Sequence, residues 1–412
     1  MPHREPSSSA PGRAVAPSSV RGRRSSSSRR ALLVLPVCLL SLLTGCSTGG
    51  EPGRSGGAGA VAEPGGPGGG GGSGGGGGEG EAPEVPVSPV NSTAAERLIP
   101  KKGVYFGIST LKTPFAPEET DLVAERAEAR PNLLEYFVKW NEEYRPEAVD
   151  ATYDQTAVPL LTWEPWVSLE AGTEQPEYAL ARIAEGDHDP YIRNFAEAVR
   201  EHGRPLILRF AHEMNGTWFP WAEGRNGNSA GEYVRAWRHV HDVFTDAGAD
   251  NVVWQWSPNI LRTVERTRLR PLYPGDRYVD LVGVSGYRRD ERTAGEVFDP
   301  ALREIREFTR RPILIAETGA KPGRDKAAWI ADFFQWLDRN PDVVGFVWFE
   351  RDTGHGGKQD WRFAETPGTQ RAFRGGLEWV ELARAPKGEP LRVGDSQLGE
   401  SDREKSGLGR SA

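Results

Sequence analysis

The chain has only two cysteines, Cys38 and Cys46, in 412 residues. Both lie before the first folded segment, so a disulfide scaffold is excluded and the core alone must hold the fold. No apolar run reaches the ~20 residues that a membrane-spanning helix needs; the longest near the start covers 31–43. Basic charge is in short supply: 51 Lys and Arg face 58 Asp and Glu, a net charge of −7, and no basic stripe is interleaved with aromatics. That balance argues against nucleic acid as a partner. No Gly-x-Gly-x-x-Gly turn follows any candidate strand, which disfavours an open dinucleotide-binding sheet. No histidine, cysteine or acidic cluster has convincing metal-ligand spacing, and no cofactor is expected.

What the chain does have is unevenly spread. Arg29-Arg30 precede the apolar stretch 31–43, and Leu43-Thr44-Gly45-Cys46 closes it. This reads as a signal peptide over 1–45. The Leu-x-Gly-Cys ending resembles the bacterial lipobox, which implies cleavage before Cys46, lipidation of its thiol, and an extracytoplasmic domain anchored to the cell membrane. Ser28-Arg29-Arg30-Ala31-Leu32-Leu33 also resembles a twin-arginine export signal, so the export route stays open. Residues 46–97 hold much of the glycine, with proline and serine, and cannot bury enough apolar surface to offset their ordering entropy. They are expected to form a flexible tether. Residues 386–412 are polar and expected to be a disordered tail.

Between these ends, over 98–385, strand and helix signals alternate. Short apolar runs fall at 104–109, 134–139, 158–163, 206–210, 252–256, 278–284, 312–316 and 343–348. Most are continuous rather than alternating, as expected of parallel strands covered on both faces. Helical patterns separate them. In 189–203, Asp189 can cap, Pro190 suits a first turn, four apolar residues share a face, and Gly203 fits the end. The pattern predicts an α/β fold, a single (β/α)8 TIM barrel acting as a monomer.

Two of the strand candidates run straight into acidic residues. The fourth is followed by Glu213 and the seventh by Glu317, so both should emerge at the carboxyl rim where barrel enzymes keep their chemistry. A single glutamate there could be an ion-pair partner. A pair can do more: one carboxyl protonates a glycosidic oxygen while the other attacks the anomeric carbon or activates water. The 13 tryptophans suit the same reading, because an aromatic plate covers the flat face of a pyranose. Trp166, Trp218, Trp221, Trp256 and Trp348 lie at or just past strand ends and are candidate sugar plates. Trp329 and Trp336, inside a helical pattern, are expected in the core.

The stretch Arg209-Phe210-Ala211-His212-Glu213-Met214-Asn215-Gly216, with Trp218 and Trp221, resembles glycoside hydrolase family 26, a barrel family best known for β-mannanases. Trp163-Glu164-Pro165-Trp166, Trp254-Gln255-Trp256-Ser257-Pro258-Asn259 and Ala316-Glu317-Thr318-Gly319 add to it, over 101–384 in all. The resemblance implies Glu213 as proton donor and Glu317 as nucleophile of a retaining hydrolase, with carboxyl groups ~5–5.5 Å apart. It implies Tyr287 as a hydrogen-bond donor to the nucleophile and His212 as a substrate-binding residue. Arg209 joins that set, and its charge could also stabilise Glu317. Glu164 could touch sugar or pin its own turn. The expected substrate is a β-linked polysaccharide and the expected activity that of an endo-β-1,4-mannanase. A β-1,3-1,4-glucanase, a xylanase and a non-catalytic carbohydrate-binding lipoprotein are the alternatives.

Overall fold

A computed structural model of the protein describes residues 92–261, 268–355 and 359–391. The expected signal peptide, Cys46 and most of the tether lie outside the described residues. Eight parallel strands close into a barrel in chain order. They are β1 (Tyr105–Ser109), β2 (Leu133–Lys139), β3 (Val158–Glu164), β4 (Leu206–Phe210), β5 (Val252–Trp256), β6 (Leu281–Arg288), β7 (Ile313–Ala320) and β8 (Val343–Phe349). The TIM barrel expected from the rhythm of the sequence is the architecture found.

Alternation along each strand sorts the side chains into two cores. Leu206, Leu208 and Phe210 point outward against the helices Asp189–His202 and Glu232–Asp246, in the larger core. Ile207, Val253, Leu314 and Val347 point inward and make an apolar floor. The next inward position on β4 is Arg209, fully buried above that floor. The first helix, Thr93–Leu98, belongs to the floor: Ala94, Ala95 and Leu98 pack into it, and the Tyr105 hydroxyl donates to the Leu98 carbonyl at 2.8 Å. This corrects the expected start of the fold at residue 98, because a short Ala-rich segment beside a Gly-rich tether has no periodicity to announce it. The end at 385 is corrected likewise. Leu391 N–H donates to Gly203 O at 2.9 Å and Arg204 Nε to Gly388 O at 2.8 Å, so the chain stays packed to residue 391. Residues 392–412 lie outside the described residues.

The helix Asp189–His202 starts one residue earlier than a cap at Asp189 would require, with His188 in the capping place. Asp189 instead pairs with His239 at 2.6 Å. Gly203 ends the helix in the left-handed region at φ 74°, a conformation that glycine adopts without steric cost.

One irregularity sets up the site. Gly283 and Ser285 of β6, two apart, pair with Leu314 and Glu317 of β7, three apart. On the other side, Ile315 and Thr318 face Phe346 and Trp348 of β8. Strand β7 therefore carries one extra residue, a β-bulge. Leu314 faces the barrel interior, so strict alternation would turn Glu317 outward. The bulge reverses the parity, and Glu317 faces inward.

Candidate active site

At the carboxyl end of the barrel a cleft of about 750 Å³ opens, lined by residues from all eight strands or their following loops, among them Glu164, His212, Glu213, Tyr287, Glu317 and Trp361. Glu213 and Glu317 both reach it, although the first stands beyond β4 and the second on β7. Their settings differ in kind. Glu317 is held by a cation and a phenol: Arg209 Nη1 donates to Oε1 at 2.6 Å and the Tyr287 hydroxyl to Oε2 at 2.7 Å. Glu213 is held by two neutral donors, Asn259 Nδ2 to Oε1 at 2.7 Å and Trp218 Nε1 to Oε2 at 2.7 Å.

The electrostatics follow. Burial, and then the charge of Glu317, raise the pKa of Glu213, while Arg209, Asn259 and Trp218 pull the other way. Arg209 meets the opposite balance. Burial works against its charge, but the carboxyls of Glu317, Glu135 and Glu213 outweigh that and raise its pKa. His212 is buried and next to Arg209, and both effects push its pKa well below the imidazole range. It is therefore a neutral ring at the cleft wall, edge-on to Phe219 at 4.7 Å. Burial pushes Glu164 up to about 7, so it is poised between its two forms near neutrality.

The loop that presents Glu213 is strained. Ala211 and Glu213 have φ of 44° and 54°, a region that non-glycine residues seldom enter and that costs roughly 1–3 kcal/mol per residue. Neighbouring backbone holds it there: Glu213 N–H donates to Ser257 O at 2.7 Å and Gly216 N–H to Glu213 O at 2.9 Å. Gly216 also lets the Trp218 ring close over the loop, since a Cβ at that position would stand 2.5 Å from the indole.

Of the expected sugar plates, Trp166 and Trp218 line the cleft. Trp221, Trp256 and Trp348 do not, and their assignment as substrate-binding residues is corrected. All three are fully buried. Trp256 and Trp348 lie at outward positions of β5 and β8, where Trp256 packs on Tyr273 at 5.1 Å and Trp348 on Phe373 at 5.1 Å. Trp221 supports the site from behind, its Nε1 donating to His212 O at 2.6 Å. Arg209 is corrected too. It is sealed beneath the cleft, so it acts on Glu317 and has no access to a ligand. Replacing Trp256 with alanine should cost about 3–5 kcal/mol of stability and leave KM unchanged, checked by denaturant unfolding and steady-state kinetics. A shift in KM with stability intact would restore it to the cleft.

Three residues escaped the sequence reading. Asn259 was quoted within its motif but given no role; asking which polar side chains follow β5 would have found it. Trp361 reaches the cleft from the loop after β8, lying against Tyr287 at 4.7 Å, with nothing local to mark it. Glu135 lies on β2 at an inward position below the cleft, visible only once the barrel's interior parity is known.

Residues 175–318 match the family model of glycosyl hydrolase family 26, a stretch that contains both carboxylates. The chain is 32% identical over 258 residues to Endoglucanase H of Acetivibrio thermocellus, over 59% of this chain and 27% of that one. It is 27% identical over 172 residues to Mannan endo-1,4-beta-mannosidase A and B of Caldalkalibacillus mannanilyticus, over 40% of this chain and 32% of that one. The matches thus span about a third or less of these curated relatives. The fold is similar to a beta-mannanase from a symbiotic protist of the termite Reticulitermes speratus, with TM-score 0.52 at 15% identity over 74% of this chain and 98% of that one. The segment that matches glycosyl hydrolase family 26 thus carries the paired glutamates at the rim of an eight-stranded parallel barrel, and over that segment the chain is similar to that family.

Proposed function

We propose that the protein is a retaining glycoside hydrolase that cleaves β-linked polysaccharide, acting as an endo-β-1,4-mannanase. The observation that carries this reading is the contrast between two carboxyl groups in one cleft. Glu213, among neutral donors and in the field of Glu317, keeps its proton above the ordinary carboxyl range. Glu317 receives the Arg209 guanidinium on one oxygen and the Tyr287 hydroxyl on the other, donors suited to a carboxylate. A protonated acid and an ionised nucleophile are what double displacement needs.

In the first step Glu317 attacks the anomeric carbon while Glu213 gives its proton to the departing oxygen. The products are a glycosyl ester on Glu317, a shortened polysaccharide end, and an ionised Glu213. In the second step Glu213 takes a proton from water, the hydroxide oxygen bonds to the anomeric carbon, and Glu317 leaves as carboxylate. Trp166, Trp218 and Trp361 offer the aromatic surface for the pyranose rings.

Mannan is favoured as substrate because several relatives bear the name mannan endo-1,4-beta-mannosidase. A β-glucanase is the second reading, supported by the Endoglucanase H match, which extends over 258 residues. Reducing-sugar release from mannan, mixed-linkage β-glucan and xylan separates them; turnover of β-glucan alone would replace the first with the second. Binding of all three without turnover of any would remove the enzyme reading altogether. We also propose that Cys46 carries a lipid tethering the domain to the outer face of the cell membrane, supported by the apolar run 31–43 and the Leu-Thr-Gly-Cys ending. Cys46→Ala should then move the protein from the membrane to the soluble fraction, and an unchanged distribution would refute the anchor.

A further inference from the structure

Below the cleft lies a carboxyl group that the proposed mechanism does not use. Glu135 of β2 points into the barrel and is completely buried. Its Oε1 accepts from Thr162 Oγ1 at 2.8 Å and from Arg209 Nη1 at 3.0 Å. The same Nη1 donates to Glu317 at 2.6 Å. One guanidinium nitrogen thus serves two carboxyl groups.

We infer that Glu135 works as a neutral carboxylic acid that aims Arg209 at Glu317 and leaves the guanidinium charge to the nucleophile. The inference rests on the retaining-hydrolase reading and adds a positioning residue to it. The geometry assigns the charge. Both oxygens of Glu317 have strong donors, and its side chain is 10% exposed toward the cleft, against none for Glu135. Glu135 is bonded through one oxygen only, and Oε2 has no hydrogen-bond partner. An ionised carboxylate would leave a charged oxygen dry there, whereas a neutral acid keeps Oε1 as the accepting carbonyl and leaves only an uncharged hydroxyl without a partner, which costs much less than a bare charge.

The charged and titratable groups around Glu135 agree. Arg209 comes from β4 and Glu317 from β7, while Arg351 stands further off after β8. Arg351 is engaged by Ser109, to whose Oγ its Nη2 donates at 3.0 Å, and lies over the Phe349 ring at 4.5 Å. Two ionised carboxylates on Arg209 would leave surplus negative charge in a sealed layer. Burial, opposed by Arg209 and helped by the charge of Glu317, pushes Glu135 up to about 8. The remaining arms of Arg209 are fixed by serines, Nε to Ser257 at 2.9 Å and Nη2 to Ser285 at 2.6 Å. Glu135 and Thr162 complete the frame that turns Nη1 toward Glu317.

The test compares Glu135→Ala and Glu135→Gln with the wild-type protein and with Glu317→Ala. Freed from one side, Arg209 should serve Glu317 less well, so Glu135→Ala should lose roughly 10- to 100-fold in kcat with KM little changed. The amide keeps the accepting oxygen without charge, so Glu135→Gln should recover most of that loss. If glutamine is as damaging as alanine, Glu135 is an ionised counter-charge and the inference is wrong. If alanine leaves kcat intact, Glu135 only fills space and the inference is equally wrong. Infrared difference spectra in a Glu213→Gln background at pH 7 keep the idea testable should Glu135→Ala fail to fold. Because Glu164 also lies near its titration point at pH 7, the readout is the change made by Glu135→Gln: a loss of protonated-carboxyl intensity supports the inference, and intensity unchanged by that substitution overturns it. Full activity of Glu317→Ala would instead sink the hydrolase reading on which the inference stands.

Discussion

Replacing Glu317 with alanine should lower kcat on the polysaccharide by roughly ten-thousand- to a million-fold, the scale on which removing a nucleophile from a covalent mechanism registers. Glu213 stands beyond β4 with both oxygens engaged by Asn259 and Trp218, and Glu135 is sealed under the cleft. KM should move little, because the cleft walls are untouched. A small anion such as azide, admitted to the space left by the carboxylate, should attack the same face of the sugar and yield a glycosyl azide of inverted configuration. Tyr287→Phe provides the graded companion. It removes one hydrogen bond to an ionised group, so kcat should fall roughly 10- to 100-fold. Steady-state rates on polysaccharide and product analysis by NMR check both. Residual activity of Glu317→Ala within tenfold of wild type would remove it from the nucleophile's role.

The barrel was legible because buried parallel strands are long apolar runs between amphipathic helices, and β4 and β5 have the bounds read from the sequence. The pair of glutamates was legible because ionisable groups seldom follow such runs without a use. The orientation of Glu317 was not. A bulge in β7 turns it inward, and a bulge leaves no mark in composition or periodicity. Strands β6 and β7 were also read short, since Ser285, Tyr287, Glu317 and Thr318 look like loop residues when the polar interior of a barrel rim is ignored. The same oversight misplaced the tryptophans. Trp256 shares the outward parity of Val252 and Trp254, whereas Gln255 and Val253 face in, so alternation alone would have sent Trp256 to the helices. Glu135 and Arg209 share an inward polar layer, but which partner each takes depends on three strands meeting, and no single segment encodes that.

Glu213→Gln should cost roughly a hundred- to ten-thousand-fold on polysaccharide, the usual worth of a positioned acid, and far less in the first step on an aryl glycoside whose leaving group needs no proton. The pH profile should carry the same signature. The acid must hold its proton when substrate arrives, and burial, followed by the charge of Glu317, raises its pKa from 4.5. Activity is therefore kept above the ordinary carboxyl range and lost as pH rises through the raised value. Asn259 and Trp218 lower that pKa by donating to the charged form. Removing a donor should raise it, so Trp218→Phe should shift the alkaline limb of kcat/KM to higher pH even as plate surface is altered. A limb that stays or moves down would refute the assignment of Glu213 as the acid. The coupling also explains how one group can serve both steps. In the proposed mechanism esterification removes the charge of Glu317, one cause of the raised pKa would go with it, and Glu213 would hold its proton less tightly just when a base is needed to accept a proton from water.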